Sequence, residues 1–174
     1  ETEGFYLVME FLQGKSLHES LAEGEFFSYQ EILAIIQPIC SVLSQAHQMS
    51  IIHRDLKPAN IFLVRDSIHY NKVKVIDFGI AAMREEDESL TQTGITMGSP
   101  SYMSPEQALG HSHLVDGRSD LYSLGVILFQ LLTRTLPFQG NSTYQLMQHV
   151  QTRAPRLSQV VQKNWSPTLE NFID

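Results

Sequence analysis

Residues 51–63 hold the polar side chains of this sequence that could carry out chemistry together. Asp55, Lys57 and Asn60 bring a carboxylate, a cation and an amide into one short stretch, and Pro58 restricts the backbone between them. Apolar residues flank the stretch, so its ends can be buried while its polar groups point to one place. Such a carboxylate can accept a proton, the lysine can neutralise an anion, and the amide oxygen can bind a hard cation.

Two further motifs follow this stretch in a fixed order. Asp77-Phe78-Gly79 lies downstream, and Ser104-Pro105-Glu106 follows after a segment of ordinary activation-loop length. Together with His53-Arg54-Asp55-Leu56 and the later asparagine, this order resembles the C-terminal lobe of Hanks-type Ser/Thr protein kinases, most closely the bacterial branch. The resemblance covers nearly the whole chain. Each motif alone is weak, since an isolated Asp-Phe-Gly is commonly a simple turn.

The resemblance implies transfer of a phosphoryl group from ATP to Ser or Thr hydroxyls of protein substrates. Asp55 would accept the proton of the hydroxyl, and Lys57 would neutralise the migrating phosphoryl group. Asn60 and Asp77 would supply oxygen ligands to Mg²⁺. His53 is expected to pack against its neighbours, because the adjacent aspartate already fills the role of base.

The same resemblance implies a nucleotide site near the start of the chain. Met9 would be the gatekeeper, and backbone groups of Glu10 and Leu12 would hold the adenine edge. Ser16 would contact the ribose, and Phe62 would form the apolar floor under adenine. Without the other motifs, the first segment is simply a strand with a polar tail, and the phenylalanine is a core aromatic.

Regulation is predicted in the segment between the second and third motifs. Thr91 and Thr93 match the paired activation threonines of bacterial relatives, and Arg54 would hold one of their phosphates. The alternative is an unmodified loop.

Three more residues have predicted regulatory roles. Ser99 would touch the catalytic base and lysine, and Glu106 would pair with a late arginine beyond this sequence. Asp120 would bind backbone amides of the catalytic loop from below. Its alternative role is a charge that complements a helix dipole.

The elements that must position these residues are mostly helical, so the predicted fold class is α+β, mainly α-helical, with a short β hairpin under the nucleotide. Ser28 and Glu31 form a capping-box pattern before a long apolar helical face. Ser50, where relatives generally carry Gly, must adopt a turn conformation. The remaining predicted elements are a buried strand at 5–11, a helix at 16–21, strands at 61–64 and 73–76, a helix at 119–133 buried on all sides, and helices at 142–150 and 166–174.

Bulk properties limit the other possibilities. The chain has 174 residues, 43% hydrophobic content and a net charge of −7, which fits one soluble domain and disfavours a nucleic-acid surface. The lone Cys40 indicates a reducing compartment, and the apolar run at 121–132 is too short for a membrane segment. The expected location is therefore the cytoplasm, or the cytoplasmic face of a membrane if an anchor lies elsewhere.

The whole sequence, 1–174, is interpreted as a partial kinase domain. Residues 1–15 would be the last N-lobe strand and the hinge, and 16–174 a C-lobe truncated at its end. Its expected partners are protein substrates and the missing N-lobe, which would cover an apolar face of Met9, Leu17 and Phe62. The Gly-rich loop and N-lobe lysine are not in this sequence, so the isolated chain is expected to be inactive. A non-catalytic pseudokinase or scaffolding lobe is the alternative function.

Overall fold

The structure, a computed structural model, describes residues 8–66, 69–78 and 99–173. These residues are mainly helical and contain one three-stranded antiparallel sheet, which confirms the predicted balance of helix and strand. The strands are β1 (Gly14–Ser16), β2 (Ile61–Asp66) and β3 (His69–Val75). The helices are α1 (Leu17–Ala22), α2 (Tyr29–Gln48), α3 (Pro105–Ala108), α4 (Gly117–Thr133), α5 (Ser142–Gln151), α6 (Leu157–Val160) and α7 (Pro167–Ile173).

The predicted buried strand at 5–11 is wrong for its described part. Residues 8–13 have no regular structure, and Val8, Met9 and Phe11 are largely exposed. The reason is that no described strand pairs with them: β2 pairs with the chain only from Gly14 onward, in the register Gly14↔Val64. Gly14 permits this pairing because a Cβ there would lie 2.1 Å from the Leu63 carbonyl oxygen.

The long helix α2 supplies one side of the core. Its predicted capping box is present, with Ser28 N donating to Glu31 Oε2 at 2.7 Å and Glu31 N donating to Ser28 Oγ at 3.3 Å. Just after α2, Ser50 adopts the predicted left-handed turn with φ 60°. The buried residues of α2 face the sheet, α4 and residues 51–63, called the catalytic stretch below. This core consists of Leu17, Ile32, Ile35, Ile39, Leu43, Leu56, Ile61, Leu63, Leu124, Ile127 and Leu131.

The helix α4 is confirmed in position but is not buried on all sides as predicted. Leu124, Ile127 and Leu131 are in the core, whereas Leu121 is 54% exposed. Leu121 and Gly125 line a cavity of about 340 Å³ that α5 and the chain after it leave open. The apolar character of α4 therefore exceeds what the described residues cover.

The other predicted elements are present in the structure, although β3 begins at His69, four residues before its predicted start at 73. Strands β2 and β3 pair antiparallel with Phe62 opposite Lys74, and the turn residues 67 and 68 lie outside the described part. Helix α5 and the final helix α7 occupy their predicted positions. No described helix is long and apolar enough to cross a membrane.

Candidate active site

The buried carboxylate of Asp120, in the first turn of α4, holds the start of the catalytic stretch. Its Oδ2 accepts a hydrogen bond from His53 N at 2.9 Å, and its Oδ1 accepts one from Arg54 N at 2.9 Å. A third contact joins Oδ2 to His47 Nε2 at 2.7 Å. The contact with the backbone amides is the one that the sequence predicts. His47 was missed, although a polar residue one turn after Leu43 on the buried face of α2 was a signal.

His53 is packed in the interior, as the sequence predicts. Its side chain is fully buried, and its ring centroid lies 4.7 Å from that of Phe78. Its Nε2 lies 3.0 Å from the Ile76 carbonyl oxygen, and its Nδ1 accepts from Asp55 N at 3.3 Å. Because both ring nitrogens contact backbone groups, the imidazole orients the loop and is not available to a substrate.

The structure brings Asp55, Lys57 and Asn60 together. Lys57 Nζ lies 2.7 Å from Asp55 Oδ2, and each side chain is about a quarter exposed. Asn60 Nδ2 donates to the Asp55 carbonyl oxygen at 2.8 Å. Asn60 Nδ2 also lies 3.4 Å from Asp55 Oδ2, the oxygen that Lys57 contacts. The carboxylate therefore has two donors on one oxygen and still reaches solvent, which suits a group that must meet a substrate.

Asp77 is joined to this cluster through the backbone. Ile76 N donates to the Asn60 carbonyl oxygen at 2.9 Å, which places the next residue, Asp77, beside Asn60. Asp77 is exposed and has φ 61°, a strained conformation for a residue with a side chain. Gly79, the residue expected to free the backbone here, lies outside the described residues.

The donor set fits Mg²⁺ in its chemistry. The Asn60 side chain is buried, and its amide nitrogen is committed to Asp55, while its Oδ1 accepts no hydrogen bond from the described residues. An amide oxygen and an exposed carboxylate are the hard ligands that Mg²⁺ prefers. Among the described residues, no cluster of three or more His, Cys, Asp or Glu side chains could hold a metal ion. The proposed Mg²⁺ site needs no such cluster, because its protein ligands would be only Asn60 and Asp77.

The predicted nucleotide contacts lie on the sheet and in the segment that precedes it. Phe62 is half-buried in β2, opposite Ser16 on β1 and Lys74 on β3. Glu10 forms an ion pair with Lys74, whose hydrogen bond holds the pKa of Glu10 below its usual value. Met9 is exposed, and Leu12 is half-buried.

In this region one residue has a contact that was not predicted, and one expectation needs correction. The Ser16 hydroxyl, predicted for the ribose, caps α1: Ser16 Oγ donates to Glu19 Oε2 at 2.7 Å and accepts from Glu19 N at 3.2 Å. Leu17, predicted to be left exposed without an N-lobe, is fully buried in the core because α1 packs against β2 and residues 58–60. Met9 is exposed as expected, and Val8 and Phe11 near it are exposed as well.

The segment from Ser99 to Gln107 is fixed on α4. Ser123 Oγ donates to the Tyr102 carbonyl oxygen at 2.7 Å, and Tyr102 Oη donates to Gln130 Oε1 at 2.8 Å. Burial raises the pKa of Tyr102 to about 12. The predicted contact of Ser99 with the base and the lysine is not among the hydrogen bonds of Asp55 and Lys57 to described residues.

Glu106 meets a partner that sequence reasoning missed. Ser119 Oγ donates a short hydrogen bond to its carboxylate. Burial raises the pKa of Glu106, but hydrogen bonds from Ser119 and its surroundings outweigh burial and leave that pKa lowered. Thr91 and Thr93, the predicted phosphorylation sites, lie outside the described residues.

A buried aspartate on α4 holds the backbone next to a carboxylate that lies beside a lysine and an asparagine, and Asp-Phe-Gly follows in the sequence. This arrangement is typical of protein kinases. The chain belongs to the protein kinase domain family, whose profile matches residues 1–174. This confirms the family that the motifs predict.

Its relatives are bacterial Ser/Thr kinases. The chain is 45% identical to the serine/threonine-protein kinase Pkn1 of Myxococcus xanthus over 97% of its own length and 24% of that protein. It is 37% identical to PrkC of Bacillus subtilis over 100% of the chain and 25% of the relative. It is 42% identical to the probable kinase PknB of Corynebacterium glutamicum over 84% of the chain and 22% of the relative. The chain thus spans about a quarter of the length of the curated relatives it matches.

Proposed function

We propose that the protein containing this chain transfers a phosphoryl group from ATP to Ser and Thr hydroxyls of protein substrates. The observation that carries this proposal is the pairing of Asp55 with Lys57 at 2.7 Å in a loop that buried Asp120 holds in place. Family membership and the similarity to bacterial serine/threonine-protein kinases support the same chemistry.

The residues of the cluster divide the work of this reaction. Phosphoryl transfer depends on positioning and charge neutralisation more than on covalent catalysis. Asp55 orients the substrate hydroxyl and accepts its proton, and Lys57 places its charge next to that carboxylate, where the transferred group arrives. Asn60 and Asp77 would hold Mg²⁺, which neutralises phosphate charge when bound.

The nucleotide would lie over the sheet near Phe62, which is on its middle strand. The backbone of Glu10 and Leu12 would meet the adenine edge, and Met9 would border it, as in related kinases. Because Ser16 is committed to capping α1, its hydroxyl has one lone pair left for a ribose. The Gly-rich loop and the N-lobe lysine would come from an N-lobe outside these 174 residues. A cytoplasmic location, where ATP is available, stays a prediction.

Ser/Thr specificity follows from Lys57. Tyrosine kinases carry Arg and Ala in the stretch that here reads Asp-Leu-Lys-Pro, so the lysine is typical of the Ser/Thr class. Its contact with Asp55 supports this assignment, because it places the lysine beside the proposed base. We propose that Ser99 completes this region when a substrate is bound.

The decisive experiment replaces Asp55 by Asn in the full-length protein. We expect turnover of a generic protein substrate to fall about 10²–10⁴-fold, with ATP affinity nearly unchanged, because only the proton acceptor is removed. Glu23→Gln is the matched control, since this carboxylate is exposed and pairs only with Lys15 among the residues in its described contacts. Near-normal turnover of Asp55→Asn would remove Asp55 from the role of base. A parent protein that binds ATP but never transfers phosphate would favour the scaffolding alternative.

We also propose that phosphorylation controls this site. Thr91 or Thr93, once phosphorylated, would bind the guanidinium of Arg54, whose backbone is already fixed beside the base. A phosphate brings about −1.5 to −2 charges, which a bidentate arginine contact can use to order a loop.

A further inference from the structure

Gln107, which the proposed reaction does not use, connects the end of the activation segment to the catalytic loop. Its Nε2 donates a hydrogen bond to the Arg54 carbonyl oxygen at 2.5 Å. Its Oε1 accepts from Ser104 N and from Ser104 Oγ, both at 3.1 Å. One side chain therefore serves two segments that are 53 positions apart in the sequence.

The backbone of Arg54 needs such support. Arg54 has φ 65°, a left-handed conformation that residues with side chains rarely adopt, and it directly precedes the proposed base Asp55. Asp120 holds its N–H, and Gln107 holds its carbonyl. The peptide groups on both sides of this residue are thus fixed by two side chains from different parts of the fold.

We propose that Gln107 is a positioning residue for Asp55. By holding the Arg54 carbonyl, it fixes the peptide plane between Arg54 and Asp55 and so the direction in which the Asp55 carboxylate points. This inference rests on the proposed kinase function, and it adds a link from the activation segment to the base through one amide group.

The two ends of Gln107 can be separated chemically. The acceptor end caps the short helix α3, whereas the donor end contacts the catalytic loop. Glutamate has nearly the same shape as glutamine and keeps the acceptor, but it cannot donate to a carbonyl oxygen. Gln107→Glu therefore removes the contact with Arg54 and leaves the cap available.

The experiment measures kcat and the KM for ATP in the full-length protein for Gln107→Glu, Gln107→Met and Ser104→Ala. We expect both Gln107 variants to lower kcat about tenfold, at the low end of what misplacing a reacting group costs, with the KM for ATP within about twofold. Gln107→Met removes the amide without adding a charge, so it covers the case in which the glutamate destabilises the fold. Ser104→Ala weakens only the cap and is expected to retain kcat within about twofold.

A second readout does not depend on activity. When the loop is folded, the backbone amides of His53 and Arg54 donate to the Asp120 side chain, and that of Asp55 donates to the His53 ring. The hydrogen exchange of these amides therefore reports how well the loop is ordered. We expect faster exchange in residues 53–55 in both Gln107 variants and not in Ser104→Ala. If the parent transfers no phosphate, the proposed function fails while the exchange data still decide whether Gln107 holds the loop. The proposal would be overturned if the Gln107 variants had the same hydrogen exchange in residues 53–55 and the same kcat as the parent. It would also be overturned if Ser104→Ala lost as much kcat and exchange protection as they do.

Discussion

The residues with predicted chemistry fall into two groups according to how far their contacts extend. Asp55, Lys57 and Asn60 are close in sequence, so their spacing alone predicts that they meet, and they do. Their support comes from Asp120, His47 and Gln107, which lie 53 or more positions from the residues they contact. Only resemblance predicted the Asp120 contact. The position of His47 on the buried face of α2 was a signal that was missed, and nothing in the local sequence predicted the contact of Gln107.

At the residue scale, we predict that Thr91 and Thr93 are phosphorylated by the protein itself. The acidic run 85–88 repels a phosphate in the same segment, but exposed charges are screened over about 10 Å, whereas an arginine contact is short and directional. Mass spectrometry of the full-length protein after incubation with Mg-ATP should find phosphate on one or both threonines.

The control for this prediction is the Thr91→Ala/Thr93→Ala variant, together with Arg54→Lys, which keeps the charge but loses the bidentate geometry. We expect the double variant to be less active than the parent. Unmodified threonines, or a double variant as active as the parent, would leave the segment as a plain linker.

A second residue-scale prediction concerns His149 on α5. This side chain is buried, and it contacts Tyr122 Oη through Nδ1 at 2.7 Å and packs against the Phe138 ring at 4.8 Å between centroids. Burial lowers the pKa of His149 by more than the backbone of Ser101 and Pro100 raises it. In the unfolded chain, His149 binds a proton near the ordinary histidine pKa of 6.5. In the folded chain, it binds a proton only at lower pH.

The sign of the effect follows from this difference. The contribution of His149 to the free energy of unfolding is complete above pH 6.5 and is lost as the pH falls through the folded pKa. Denaturant unfolding between pH 7.5 and about 5 should show stability decreasing toward acid, with a smaller slope in His149→Gln. Identical slopes for the two proteins would show that other groups control acid stability.

At the element scale, short-range sequence patterns predicted helix capping and the approximate positions of helices and strands. The capping box of Ser28, the apolar face of α2 and the positions of β2, β3 and α4 all follow from short-range spacing. The described part of the strand predicted at 5–11 was wrong, and Leu121 was predicted to be buried but is exposed, because the burial of an apolar residue depends on which distant element covers it. The capping box of Ser16 with Glu19 was visible in the sequence but was not predicted, and the ribose contact of Ser16 stays a prediction.

Two glycines of α4 give an element-scale prediction with an internal control. A Cβ on Gly117 would lie 2.7 Å from His47 Nδ1, and the bond to Asp120 prevents that ring from moving away freely. A Cβ on Gly125 would meet no atom within 4 Å. We expect Gly117→Ala to lower the free energy of unfolding by about 1–3 kcal/mol through overpacking. Gly125→Ala should raise it by about 0.5–1 kcal/mol, because alanine restricts the unfolded chain and favours helix.

Denaturant unfolding of the two variants beside the parent checks this prediction. Equal effects of both substitutions would mean that the ring of His47 adapts and that helix propensity alone governs α4. A loss of kcat confined to Gly117→Ala would add that His47 helps Asp120 to hold the catalytic loop.

At the scale of the whole molecule, the chain carries the catalytic loop but leaves the approach to the sheet uncovered. Val8 and Phe11 are each 87% exposed and Met9 is 65% exposed, in a segment with no regular structure. Clustered apolar side chains of this kind promote association. We therefore expect purified 1–174 to self-associate. We also expect it to transfer no detectable phosphate, because it does not include the Gly-rich loop and the N-lobe lysine.

Size-exclusion chromatography at several concentrations tests the self-association. Val8→Ser/Phe11→Ser should shift the isolated chain toward the monomer. Phe26→Ser is the matched control: Phe26 is 84% exposed, but the Arg134 guanidinium lies 4.4 Å from its ring centroid, and it stands outside this segment. If Phe26→Ser restores the monomer as well, the association is not specific to residues 8–11. Robust phosphorylation by the isolated chain would contradict the expected lack of phosphate transfer.

The contact between Asp120 and Arg54 has a consequence for protein synthesis. The carboxylate lies 66 residues after the amide that it holds, so a ribosome completes the catalytic loop long before it makes the anchor. At about 5–20 residues per second, this interval lasts roughly 3–13 s. A nascent chain therefore carries Asp55 and Lys57 without the group that holds the backbone before them. The proposed phosphoryl transfer would have to wait until α4 has left the exit tunnel and docked on α2.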